Sequence, residues 1–134
     1  MSWMNRQDPY ALRVAITSVA ANAGQEVLIG EFTNDIEITG AYLTGATAIV
    51  SASGAGFLLS LMKNSTAGVR NGTLATYSIS TAAAETIGAT QSAYLTPTTV
   101  PTMDKGEVLV YVESTVGTGT ARASGTLVVE YIHL

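Results

Sequence analysis

Apolar side chains recur at every second position in a series of short runs. That is the spacing of half-buried β-strands, not of helices. Over residues 12–19, Leu12, Val14 and Ile16 share one face, while Arg13, Ala15 and Thr17 share the other. A break at 20–25 is followed by a β-prone run at 26–32, a turn at Thr33-Asn34-Asp35 and a strand at 36–43. A weaker strand is expected at 46–51, a strong one at 57–63 and an alternating one at 73–80. The tip at 64–72 ends in Asn71-Gly72, a pair suited to positive φ. Residues 80–88 read as irregular: Ala82, not Ser or Thr, stands three residues before Glu85, so no capping box forms. After the proline-punctuated stretch 96–102 and a tight turn at Asp104-Lys105-Gly106, strands are expected at 107–114 and 124–133.

Seven or eight short strands with turn signals between them predict an all-β chain, an antiparallel β-sandwich or jelly roll. The bulkier members of the alternating runs predict a core of Val14, Ile16, Ile38, Leu59, Leu61, Val110, Val112 and Val128. Residues 1–11 carry Trp3, Asp8, Pro9 and Tyr10 without any period, and read as an extended N-terminal arm before a single domain at 12–134.

Composition sharpens this picture. The chain's 134 residues suit one domain. Charged residues are only 12%, about half the ~25% of an ordinary soluble domain. In their place stand 19 Thr, 11 Ser, 19 Ala and 13 Gly, a neutral surface suited to burial in an assembly. With a net charge of −4 and basic residues standing singly, nucleic-acid binding is not expected. The absence of cysteine excludes disulfides, zinc–thiolate sites and thiol catalysis. No apolar run reaches the length of a membrane-spanning helix. The stretch 14–23 ends in Ala21-Asn22-Ala23, yet Thr17 and Ser18 interrupt it and Arg13 abuts it, so a cleaved leader is not expected.

Candidate chemistry is sparse. The single histidine, His133, lies in the last strand and reads as a surface or interface side chain, not as part of a triad. Glu26, Glu31, Glu107, Glu113 and Glu130 read as dispersed at solvent-facing strand positions or strand ends, which leaves no glycosidase pair. Asn34, Asp35 and Glu37 fall short of a calcium loop. Gly117-Thr118-Gly119 lacks the third glycine and following helix of a phosphate loop and reads as a hairpin turn. The sequons at Asn64 and Asn71 read as turn chemistry. The tyrosines read as buried or interface side chains rather than as a sugar-binding row. The expectation is a protein that is not an enzyme and needs no cofactor or metal.

One resemblance adds to this reading. The strand 57–63 running into Lys63-Asn64-Ser65-Thr66, the start Lys105-Gly106-Glu107 of the next long strand, Val116-Gly117-Thr118-Gly119 and the closing strand follow one another in order. Together they resemble small β-sandwich virion proteins of tailed bacteriophages, over roughly residues 36–132. Ser65 and Glu107 stand where glycine and aspartate are usual in that group. The resemblance implies a capsid decoration or cement protein, located on the virion's capsid surface after synthesis in the host cytoplasm. Its implied partner is the major capsid protein. The alternative it leaves open is a carbohydrate- or receptor-binding module of a tail or head fibre. A neutral sandwich that needs covering is expected to form a homotrimer, matching the local threefold axes of a shell. Trp3, Pro9 and Tyr10 are the candidate partner contacts, because tryptophan and tyrosine are favoured anchors at interfaces.

Overall fold

The computed structural model describes residues 10–18, 24–45, 49–50, 55–79, 86–87, 92–117 and 124–134. Eight long strands carry the fold. They are β1 (Tyr10–Ile16), β2 (Gln25–Glu31), β3 (Ile36–Gly45), β5 (Ala55–Asn64), β6 (Arg70–Ile79), β8 (Ser92–Pro97), β10 (Val108–Gly117) and β11 (Gly125–His133). Three two-residue strands accompany them: β4 (Ile49–Val50), β7 (Thr86–Ile87), which pairs with β4, and β9 (Thr102–Met103), which pairs with β3. No helix occurs among the described residues.

The long strands hydrogen-bond antiparallel in the order β1-β11-β3-β8-β6-β5-β10-β2. Between β8 and β6 the path passes from one layer to the other. The first half of β8 pairs with β3, while Thr96 and Pro97 pair with Thr76 and Ala75 of β6. The result is two four-stranded layers, β1-β11-β3-β8 and β6-β5-β10-β2. Counting only long strands, the layers read 1-8-3-6 and 5-4-7-2, the interleaved order of a jelly roll. The expected antiparallel sandwich of this type is therefore the fold observed.

Alternation brings one face of each strand inward. Ile16, Ile36, Ile38, Leu43, Leu127 and Val129 from one layer meet Leu59, Leu61, Leu74, Leu109 and Tyr111 from the other. Of the expected core residues, Ile16, Ile38, Leu59 and Leu61 lie there, and half-buried Val14 packs against its edge. Val110 and Val128 are also buried as expected, at 3% exposed, whereas Val112 is only part-buried. All three stand on outer faces rather than in the central cluster. An unbroken apolar run such as 108–112 permits either parity. Its partners decide: Leu109 and Tyr111 stand opposite Lys63 and Leu61 on the inner face. The same parity carries Glu113 inward.

Several turn expectations also change. Asn71-Gly72 lies within β6, at an irregularity in its ladder with β5, and the chain reverses earlier, where Ser65 and Val69 are hydrogen-bonded. Gly117 leads to no hairpin, because β10 and β11 lie in different layers. Tyr10 and Ala11 are the first residues of β1 rather than part of an arm. The expected strand at 46–51 and irregular stretch at 80–88 lie largely outside the described residues, as do Thr118 and Gly119.

Two glycines are fixed by geometry. Gly106 has φ +89° in the turn before β10, where an added Cβ would also stand 3.1 Å from Thr66 Cγ2. A Cβ on Gly24 would meet the Glu113 carbonyl oxygen at 2.4 Å.

Leu61→Ala should cost about 2–5 kcal/mol in urea unfolding, since it empties a fully buried site between the layers. Val112→Ala, half-buried on the outer face, should cost about 1 kcal/mol or less. Equal costs would mean that the parity of β10 is reversed.

Candidate functional site

Strands β1 and β2 are the two ends of the hydrogen-bonded path. The seam between them is fastened near Ile16. Gln25 Nε2 donates to the Thr17 carbonyl at 3.0 Å and to Glu113 Oε1 at 2.6 Å, while Thr17 Oγ1 donates to Gln25 Oε1 at 3.1 Å. These bonds explain why Glu113, expected at a solvent-facing position or strand end, is buried at 3% exposure: a carboxylate leaves water only where donors replace it.

At the other end of the seam a groove of about 300 Å³ opens. Leu12 of β1 and Ile29 of β2 form part of its wall, with Phe32 and Tyr131 as aromatic surfaces and Glu31, Thr33 and His133 as polar ones. Four rings gather here. Tyr10 stacks on His133 and on Tyr131 at centroid distances of 4.7 and 5.4 Å, and Phe32 meets Tyr131 edge-on at 5.0 Å. Local sequence produces the cluster. Tyr131 and His133 are two apart and share a face of β11, and Tyr10 stands opposite Tyr131 in the β1–β11 ladder.

Of the candidate contacts, Tyr10 is therefore placed in this cluster, 48% exposed. Trp3 and Pro9 lie outside the described residues. The sequence pattern missed Glu31 and Phe32 as groove residues, because they come from the far end of the hydrogen-bonded path. His133, expected as a surface or interface side chain, instead forms part of a ring stack with Tyr10 and Tyr131.

The same end of the sandwich carries a buried ionic node. Glu107, expected at a solvent-facing position or strand end, is 5% exposed. Its Oε1 accepts from the Asp104 backbone N–H at 2.7 Å and lies 3.4 Å from Lys63 Nζ, and its Oε2 accepts from Asn71 Nδ2 at 2.5 Å. Lys63 Nζ also donates to the Thr102 carbonyl at 2.9 Å. Burial by itself raises the Glu107 pKa, but the Asp104 N–H, the Asn71 amide and the Lys63 charge outweigh it and hold the carboxyl below its ordinary value of 4.5. Nearby, Asp35 Oδ1 accepts from the Lys105 N–H at 2.7 Å, so the turn after β2 is tied to the turn before β10.

A second feature is the outer face of the β6-β5-β10-β2 layer. Leu58 and Met62 of β5, Val110 and Val112 of β10 and Leu28 of β2 point outward together, and Leu28 is 71% exposed. Glu26 and Arg70, the charged side chains among these rows, pair with each other. On the opposite outer face Tyr42 and Tyr94 lie 5.2 Å apart.

Among the described residues no group of three or more His, Asp or Glu side chains gathers as a metal site, and no helix is long and apolar enough to cross a membrane. No family model and no curated protein matches the chain. Solved structures with a related arrangement include one of infectious bursal disease virus, Gx strain, with TM-score 0.47, 12% identity, and coverage of 96% of this chain and 32% of that one. Another is a CocE/NonD family hydrolase from Staphylococcus aureus, with TM-score 0.31, 11% identity, and coverage of 94% and 32%. The chain thus spans about a third of the length of these structures. The strand order itself is that of a jelly roll.

The lowered Glu107 pKa has a defined consequence. A carboxyl depressed in the folded state adds stability that is present above its unfolded value and is lost as pH falls through the folded value. Urea unfolding of the wild type should therefore weaken as pH drops below about 4.5. Glu107→Gln should cost about 2 kcal/mol at pH 7 and show a flatter acid limb. An acid limb unchanged by the substitution would remove Glu107 as its cause.

Proposed function

We propose that this chain is a non-enzymatic structural protein of a virion, a decoration or cement protein on a bacteriophage head. The observation that carries this reading is the outer face built by Leu28, Leu58, Met62, Val110 and Val112, with its charges paired internally. On this face Leu28 is 71% exposed beside part-buried Leu58, Met62 and Val112, and an exposed apolar side chain at the rim of such a row is surface that a partner covers. Within the proposal, the face packs on the major capsid protein, and the chains associate as homotrimers around threefold positions of the shell. Few charges and many Thr, Ser, Ala and Gly side chains suit broad contacts based on shape rather than on ion pairs. Tyr10, together with Trp3 and Pro9, supplies further contacts to the neighbour in this scheme.

The test joins two measurements. Light scattering should give three times the 13.8 kDa of one chain, free or on the shell. The protein should also co-sediment with empty heads of the phage that encodes it. Leu28→Glu should leave the far-UV circular dichroism unchanged and reduce head binding by at least about tenfold, since a charge replaces an apolar contact. A wild-type protein that stays in the supernatant at micromolar concentration overturns the reading.

A further inference from the structure

We propose that the groove at the open end of the β1–β2 seam is a binding site for a neutral saccharide. This goes beyond the structural role above and stands or falls separately from it.

The first ground is the division of labour among polar groups at this end of the molecule. Asp35 and Glu107 are occupied by the fold: Asp35 accepts the Lys105 N–H, and Glu107 is bonded to Asp104 and Asn71 with Lys63 beside it. The side chains of Glu31, Thr33 and His133, which line the groove, make no hydrogen bond or ion pair among the described residues. Three polar side chains not bonded within the fold thus line a recess of about 300 Å³. That volume is at the small end of ligand sites, roughly 300–1,000 Å³.

The second ground is the kind of ligand these walls suit. Leu12, Ile29, Phe32 and Tyr131 offer apolar and aromatic surface. Glu31 accepts hydrogen bonds, Thr33 both donates and accepts, and neutral imidazole does one of each on its two nitrogens. A pyranose ring has the matching composition, with C–H faces that pack on aromatic and aliphatic surface and hydroxyls that both donate and accept.

Charge narrows the class further. The groove has a carboxylate in Glu31 and no Lys or Arg in its lining, so phosphate, sulfate and sugar acids are disfavoured. The platform is also held in advance. Tyr131 is stacked with Tyr10 and His133 and met edge-on by Phe32, so its ring need not be ordered on binding.

The experiment is saturation-transfer NMR on the full chain, with aromatic protons irradiated. The probes are glucose, galactose, N-acetylglucosamine and maltose, each at about 10 mM, the range of a weak single-ring site. N-acetylneuraminic acid and glucose 6-phosphate serve as anionic probes. Transfer to ring C–H protons of at least one neutral sugar is expected, with none to the anionic pair. Glu31→Gln and Thr33→Ala change exposed side chains outside the core and should preserve the fold. Each should weaken the neutral sugar by about tenfold, the value of one lost hydrogen bond. Tyr131→Phe should retain most of the transfer, whereas Tyr131→Leu should abolish it. The proposal is overturned by no transfer to any neutral sugar, by stronger transfer to the anionic probes, or by binding unaffected in both Glu31→Gln and Thr33→Ala.

Discussion

The core exists only where segments far apart in the chain are brought into register. β5 and β6 form the one full-length ladder, among the described residues, between long strands that are consecutive in sequence; β6 and β8 share just two residue pairs. β1 must find β11, and β2 must find β10, across most of the chain. No single hairpin buries the inner faces of both layers. Leu59 and Leu61 become dry only when Ile38, Leu43 and Leu127 arrive from the other layer. A topology dominated by such distant pairings folds cooperatively and slowly compared with helical domains of similar size.

That constraint explains what could be read from the chain and what could not. Strand positions were legible because alternation is a local property: β2, β3 and β11 fall within a few residues of where their hydrophobic pattern places them. Partnership was not legible, because adjacent strands here usually enter opposite layers. A Gly-rich link such as the one after Gly117 looks the same whether it closes a hairpin or crosses the sandwich. Parity in unbroken apolar runs was equally hidden. Val110 and Leu109 carry the same local signal, and only the opposing residues of β5 distinguish inside from outside.

The acidic residues show the same limit in another form. Glu26, Glu31 and Glu130 are exposed as their composition suggests, while Glu107 and Glu113 are buried. What separates them is supply of donors. Glu107 meets Asn71 and Lys63 from two neighbouring strands, and Glu113 meets Gln25 across a third. The groove depends on the same assembly: β1 and β11 bring Leu12, Tyr131 and His133, and the end of β2 with the turn after it brings Ile29, Glu31, Phe32 and Thr33. Its ring pair Tyr131–His133 could be seen in sequence as two side chains on one strand face. Its opposite wall could not, because nothing local to β11 signals that β2 ends beside it.

The strand that belongs to both layers has a mechanical consequence. In a sandwich whose sheets touch only through side chains, one sheet can slip over the other at the cost of repacking. Here β8 is hydrogen-bonded to β3 over its first residues and to β6 at Thr96 and Pro97, so its peptide backbone runs from one sheet into the other. Slippage would require breaking the ladder bonds of β8 with β3 or with β6. A force applied to one face is therefore carried to the other through covalent and hydrogen-bonded structure. The two sheets respond as one body.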